Sequence, residues 1–295
     1  MSAVDQFLSA IESAGLVPPA IIRGDGKLYR FSPSGRCGDN AGWYVLHLDS
    51  VPAGSFGNWR TGESQNWCAK EEHDLTDIER QEQRERIRAA RRMHDAVSTR
   101  KQGEAASKAL ALWAQCESVR SHDYLTRKGI EAHGVRTDGH HLFVPIRDTT
   151  GELHSLQTIS PDGAKWFMPG GRVRGCYHMI GHPKGRLITC EGYATGATIH
   201  EATGDAAAVT FSAGNLLSVA VALRAEYPSI EIIIAADDDW KTPGNPGLSA
   251  ARLAAQAVGG RVAKPNFRGL PRADKDTDFN DLERLVEAVR VGRAV

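Results

Sequence analysis

The stretch Leu187-Ile188-Thr189-Cys190-Glu191-Gly192-Tyr193-Ala194-Thr195-Gly196 is answered later in the chain by Ile232-Ile233-Ile234-Ala235-Ala236-Asp237-Asp238-Asp239. Each opens on a short, continuously apolar run rich in β-branched residues, the pattern of a strand buried on both faces of a parallel sheet. Each run ends on carboxylates. In open parallel sheets, ligands sit in the crevice beyond the carboxyl ends of the strands, and carboxylate oxygens suit Mg²⁺ or Mn²⁺. Side chains alternate along an extended segment, so Asp237 and Asp239 share one side and Asp238 faces the other. Glu191, Asp237 and Asp239 are therefore the natural ligand set. Asp278 and Asp281, arriving later, could complete an outer layer or hold a second ion. Carboxylates this close raise one another's pKa, so a cation or a proton must offset them. The competing reading makes them strand-end acids serving as helix caps.

Regular β-α alternation surrounds these two runs. Strands are expected at 187–190, 207–211, 230–236 and 261–264, with helices from Ala194, Gly214, Pro246 and Asp278. The sheet is thus mostly parallel, with helices on both faces. Upstream, Tyr124 to Ile130 reads as a helix end with a glycine stop at Gly129. Strands at 142–147 and 153–159 flank an Asp148-Thr149-Thr150-Gly151 turn. The segment Gly163 to Tyr177 combines glycines with Lys165, Arg172 and Arg174. From Ser160 to Arg186 it sets five basic residues against one acidic residue. That composition suits a polyanion lying beside the acids, or else a solvated hairpin.

The amino-terminal part has a different texture. A helix is expected over 2–14 from the Val4, Phe7, Leu8, Ile11 spacing, followed by short antiparallel strands at 27–31, 42–48 and 54–60. Their aromatics are either a stacking platform for single-stranded bases or the core of a small β module. Cys37, His47, Cys68 and His73 match no standard zinc spacing, so no zinc site is expected. Thr76-Asp77-Ile78-Glu79 is a capping-box pattern opening a long helix that should stop near Gly103, with a second helix over 104–116. Arg80, Arg84, Arg88 and Arg91 recur at helical spacing, as a phosphate-tracking stripe or as the face of a solvated connector. The resulting division is 1–72, 73–118, 119–186 and 187–295.

Across 295 residues the formal net charge is +0, so any nucleic-acid contact must come from local clusters and not from the total. No run approaches membrane-spanning length and the start carries no signal-peptide pattern, which predicts a chain without a membrane segment. Five scattered cysteines with no Cys-x-x-Cys fit a reducing cytoplasm. No Gly-x-x-x-x-Gly-Lys-[Ser/Thr] is present, nor a Gly-x-Gly-x-x-Gly fingerprint after a strand, which argues against a P-loop NTPase and a dinucleotide-binding fold.

The ordered set of motifs resembles a known family. Glu-Gly after a strand, Asp-x-Asp after a later strand and a following acidic segment look like the Toprim fold. Tyr124-Leu125 with Arg127-Lys128-Gly129, Lys165 before an aromatic, Gly171-Arg172 leading to Gly175 and Tyr177, and Glu191-Gly192-Tyr193 are similar to the catalytic core of bacterial DnaG-like primases. Ala213-Gly214-Asn215 and Ala236-Asp237-Asp238-Asp239 look most like the plasmid and phage branch. The resemblance covers roughly 120–285. It implies a Toprim-type α/β fold, preceded by a mixed α/β primase subdomain and a small α+β module. It implies that Glu191, Asp237 and Asp239 are catalytic, that these with Asp278 and Asp281 hold one or two Mg²⁺ or Mn²⁺ ions, and that Arg127, Lys128, Lys165, Arg172, Arg174 and Asn215 line the nucleotide and template path. The implied activity is synthesis of short RNA primers on single-stranded DNA from ribonucleoside triphosphates. The family's zinc ribbon and helicase-binding domain have no counterpart in these residues, which implies a separate replicative helicase. A Toprim metal-dependent nuclease and a non-catalytic single-strand-binding replication adaptor are the alternatives.

Overall fold

The protein is described by a computed structural model covering residues 2–49, 51–58, 63–70 and 76–293. It divides into two compact units, Met1–Asp95 and Ala96–Val295.

In the first unit, helix α1 (Ala3–Ser13) is closed at its start by a reciprocal Ser2–Asp5 capping box. Strands β1 (Tyr29–Phe31), β2 (Gly42–His47), β3 (Ala53–Asn58) and β4 (Ser64–Cys68) form an antiparallel sheet in sequence order. Strand β4 was not expected: Ser64-Gln65-Asn66 lacks the apolar alternation that marks a strand, and pairing with β3 supplies what its composition does not. Phe7 and Ile11 of α1 pack with Phe31, Tyr44, Leu46 and Phe56. Phe7 stands edge-on to Tyr44, Phe56 and Trp67. Phe31, Tyr44 and Phe56 thus belong to the core of the module, while Tyr29 and Trp43 are half-buried. Trp59, at the end of the third expected strand, lies outside the described residues. Cys37 is exposed and Cys68 half-buried, and His73 lies outside the described residues.

Helix α2 (Asp77–Gln115) runs unbroken through Gly103. The expected stop there does not occur, because Gly103 keeps ordinary helical backbone where a C-terminal glycine would turn left-handed. A glycine inside a helix costs only about 1 kcal/mol, which a continuing helix tolerates. Arg84 and Arg88 are exposed along it, while the side chains of Arg80 and Arg91 lie outside those described.

The second unit holds two five-stranded sheets. The antiparallel one orders β5 (Glu117–Ser118), β6 (Arg136–Thr137), β7 (Leu142–Arg147), β8 (Leu153–Ile159) and β9 (Lys165–Phe167). Helix α3 (Asp123–Lys128) precedes β6 and ends, as expected, on Gly129 at φ 64°. The other sheet orders β10 (His178–Ile180), β12 (Ala206–Val209), β11 (Arg186–Cys190), β13 (Glu231–Ala235) and β14 (Arg261–Ala263). It is parallel except for the β10 edge. Helices α4 (Tyr193–Thr203), α5 (Ala213–Glu226), α6 (Pro246–Val258) and α7 (Phe279–Arg293) make the crossovers and the carboxyl end.

Alternation along the strands builds two cores. Ile188, Cys190, Val209 and Ala235 face Tyr193, Ala194 and Ala197 of α4 together with Leu142, Val144 and Ile159 of the antiparallel sheet. Leu187, Ile232 and Ile234 face Leu216, Val219 and Leu223 of α5 and Ala251, Ala254 and Val258 of α6. The parallel sheet is thus covered on both faces, as its unbroken apolar runs require. Among the described residues, no helix is long and apolar enough to cross a membrane.

Truncating Ile234 to alanine should cost about 2–5 kcal/mol by chemical denaturation, because the side chain is fully enclosed between the sheet and α5/α6. The same truncation at Val221, 50% exposed on α5, should fall within about 0.5 kcal/mol of wild type.

Candidate active site

Strands β11 and β13 are hydrogen-bonded neighbours, so Glu191 and Asp237 leave the sheet at the same end and side by side. The helix starts gather there too. The Ala213 amide, at the first turn of α5, donates to the Glu191 carboxylate. The amide of Gly247, at the start of α6, donates to Asp239 Oδ2 at 2.9 Å. Gly247 has no room for a Cβ, which would lie 2.9 Å from that same oxygen.

Alternation separates the three consecutive aspartates. Asp238 is buried on the far side, paired with Arg272 at 2.9 Å and Lys264 at 3.3 Å, and accepting from the Asn245 amide at 2.8 Å. Asp237 and Glu191 keep buried oxygens, Oδ1 and Oε1, that no protein group satisfies. Burial, then the charge of Asp239, pushes Glu191 up to about 7. Burial, then the charges of Glu191, Asp278 and Asp239, pushes Asp237 up to about 8. Orphaned buried oxygens on carboxylates that repel one another fit a cation-binding set. The donors are all oxygen, which fits Mg²⁺ or Mn²⁺.

The two later acids divide. Asp278 accepts from Thr195 Oγ1 at 2.9 Å and from the Asp281 amide at 2.8 Å, capping α7, yet its charge still reaches Glu191 and Asp237. Asp281 accepts from the Thr277 amide and lies 3.6 Å from Lys128 Nζ. It is committed to the protein more than to the cluster. Among the described residues, the five acids do not bring three ligand atoms within 4.8 Å of one another; that spacing occurs at Asp148, Glu152 and His154. There Asp148 already accepts from His154 at 2.7 Å and from Thr150 at 2.7 Å, with Arg172 at 4.0 Å. Burial alone would raise Asp148, but these bonds hold it down to about 2. An open carboxylate cluster suits Mg²⁺ better, since that ion keeps several waters and takes only one or two carboxylates directly.

The basic residues also divide. Lys165 Nζ lies 5.5 Å from the centre of the Tyr124 ring, and Arg127 lies 6.0 Å from it. Burial of the ammonium end and the nearby Lys128 lower the Lys165 pKa, while Asp278, Asp237 and Asp281 pull it back up. Lys165 and Lys128 therefore flank the acids, while Arg127, on the same Tyr124 ring, reaches toward Gly163 and Asp162. Arg172 turns instead to Asp148 and the Arg174 carbonyl, and Arg174 is exposed on the loop. Asn215 is buried beneath that loop. Its amide donates to the carbonyls of Val173, Cys176 and Thr210, and its oxygen accepts from the Gly175 amide. With those bonds made, Asn215 shapes the loop from below.

Two features escaped the sequence. Phe167, 38% exposed, meets Phe211 edge-on at 6.0 Å. Phe211 holds φ at 70°, a left-handed conformation unusual for an aromatic, and its amide donates to the Glu191 carbonyl. It was expected to continue a strand; β12 instead ends at Val209 and the chain turns there. No glycine or asparagine occupies position 211 itself to announce that turn. The second is the Asp238–Arg272–Lys264 cluster, whose partners lie too far along the chain for pairing to be read from spacing.

Residues 186–287 match the family model of the Toprim domain. Two curated forms of DNA primase TraC from Escherichia coli are similar to the chain. One is 37% identical over 284 residues, covering 89% of this chain and 26% of the relative. The other is 36% identical over 319 residues, covering 98% and 22%. The chain spans about a quarter of the length of these curated relatives. Among solved structures, the primase fragment of the bacteriophage T7 primase-helicase protein is 16% identical with a TM-score of 0.44, covering 61% of this chain and 76% of that one. The DnaG primase catalytic domain bound to ssDNA is 12% identical with a TM-score of 0.37, covering 54% and 67%.

Two measurements check this geometry. Asp237 keeps its proton in the folded state at pH values where the unfolded carboxyl, near ~4, has lost it, so its contribution to stability is complete below that value and lost as pH rises through about 8. The melting temperature of EDTA-treated protein should therefore fall between pH 7 and 9, above the range where the buried His178, lowered to about 4 by its burial, affects stability. Mg²⁺ or Mn²⁺ should restore more of the melting temperature at pH 9 than at pH 7, and Asp237→Asn should flatten both trends. Separately, Asp238→Ala leaves Arg272 and Lys264 without their carboxylate and should cost about 3–5 kcal/mol by denaturation.

Proposed function

We propose that this chain is the catalytic core of a DNA primase of the plasmid and phage type, joining ribonucleoside triphosphates into short primers on a single-stranded DNA template. The observation that carries the reading is the pairing of unsatisfied, repelling carboxylates on Glu191 and Asp237 with the cations of Lys165 and Lys128 at the same end of the sheet. The Toprim match over 186–287 and the TraC likeness support it.

Glu191, Asp237 and Asp239 would hold one or two Mg²⁺ or Mn²⁺ ions, with Asp278 close enough to join. Such an ion neutralises phosphate charge and favours ionisation of an attacking hydroxyl. The remaining work falls to the chain itself. Lys165 and Arg127, both set against Tyr124, present positive charge to a triphosphate, and Lys128 is steadied by Asp281. Phe167 and Phe211 offer an aromatic wall beside Glu191 on which a base can stack. Arg174, exposed on the loop that Asn215 holds, would meet the template backbone. With these groups fixing it in line, the 3′-hydroxyl of one nucleotide attacks the α-phosphate of the next and pyrophosphate leaves. The template and the triphosphates are the substrates of this reading, and a separate replicative helicase is its partner in the cytoplasm.

Labelled ribonucleoside triphosphates on a panel of single-stranded templates test the reading. Wild type should make template-dependent oligonucleotides with Mg²⁺ or Mn²⁺. Glu191→Gln and Asp237→Asn should each lower the rate by at least about a hundred-fold, the scale of removing one group that stabilises transition-state charge. Phe167→Ala should raise the KM for nucleotide more than it lowers kcat. Metal-dependent cleavage of the template without nucleotides would favour a Toprim nuclease. Unchanged single-strand binding with no turnover in any condition would favour a non-catalytic adaptor.

A further inference from the structure

A cavity of about 390 Å³ opens along β10, at the edge of the parallel sheet, beside the carboxyl end of β7, and none of the five acids lines it. It is walled by Trp113 from the last turn of α2, by Arg147 and Thr149 at the β7–β8 turn, by Tyr177 and His182 flanking β10, and by Tyr227 after α5. That volume lies in the range of small-molecule sites, roughly 300–1,000 Å³.

Its charge is unusual. Arg136 lies 4.7 Å and Arg147 5.9 Å from the centre of the Trp113 ring, so two guanidiniums share one indole. Arg136 donates to the Trp113 carbonyl and Arg147 to the Gly151 carbonyl. Neither has a carboxylate partner among the described residues. Asp148, also on the wall, is already held by His154 and Thr150 and faces Arg172. Burial and the charge of Arg136 lower the pKa of Arg147, as expected of a cation without an anion. The Arg147 guanidinium on the wall, with Arg136 on the same indole just outside it, and three aromatic side chains favour a ligand that is both anionic and planar.

We propose that this cavity binds a nucleotide, its base against Trp113, Tyr177 and Tyr227 and its phosphate on Arg147, either as a free nucleotide or as one unit of a single strand. The site is separate from the catalytic acids and stands whether or not those acids polymerise nucleotides. It gives the chain a second point of contact with nucleotide chemistry, at the β10 edge of the parallel sheet.

Photolabelling tests it on the whole chain. An 8-azido-ATP probe is applied in EDTA to the Asp237→Asn variant, and labelled peptides are identified by mass spectrometry. Saturable label on segments containing Trp113, Tyr177 or Tyr227, chased by ATP, supports the site. Arg147→Met keeps the apolar stem and should raise the half-saturating probe concentration at least about ten-fold, the effect of losing one charge-assisted hydrogen bond. Chase by an oligodeoxynucleotide lacking a triphosphate assigns the site to a strand, and chase by ATP alone assigns it to the free nucleotide. Label confined to the segments around Lys165 and Glu191, no saturable label, or an Arg147→Met variant that labels like its parent would each overturn the proposal.

Discussion

Glu191 and Asp237 follow the ends of hydrogen-bonded parallel strands, one residue out of register, which holds their carboxyls close together. Burial raises both carboxyls far above their ordinary range, the charges of Asp239 and Asp278 add to it at each, and Glu191 adds to it at Asp237. Most of the surrounding architecture can be understood as a response. The starts of α5 and α6 turn amide donors toward the cluster, and Thr195 donates to Asp278. These donors reduce the charge without removing it. Two buried oxygens stay unmatched. A fold that holds unmatched acids in place stores the affinity with which it takes up a cation.

Alternation along three residues then separates function from support. Asp237 and Asp239 turn to the cluster, and Asp238, between them in sequence, turns to Arg272 and Lys264. Arg272 is itself set against Phe267 at 4.1 Å and Trp240 at 4.9 Å, so the support reaches back into packed aromatic surface. The cation side is built in the same economical way, with Lys165 and Arg127 sharing the Tyr124 ring. Removing Asp238 would disturb the fold first and the chemistry second, whereas removing Asp237 would relieve the fold.

Legibility from sequence followed the range of the interactions. The parallel sheet was readable because Leu187 to Cys190 and Ile232 to Ala236 are unbroken apolar runs ending on acids, and because Gly204 and Gly259 close helices with left-handed turns. The separation of Asp238 from its neighbours followed from the two-residue period of a strand. Long-range pairing was not readable: β4 borrows its structure from β3, β10 from β12, and Asn215 hydrogen-bonds to a loop far back in the chain. Gly103 misled because a glycine that stops a helix and one that is merely tolerated in it look alike in sequence; the rest of the helix decides which it is. Arg172 sits in a motif beside Arg174, but the hairpin turn at Asp148 claims it.

The central claim is that burial and mutual repulsion keep Glu191 and Asp237 partly protonated near neutral pH until a cation replaces the protons. Carboxyl-carbon NMR titration measures this directly, with resonances assigned through Glu191→Gln and Asp237→Asn. In metal-free protein the two carboxyls should titrate near 7 and 8, and saturating Mg²⁺ should move both midpoints below the range studied. Midpoints at the ordinary carboxylate value of about 4 without metal, unmoved by Mg²⁺, would contradict the account.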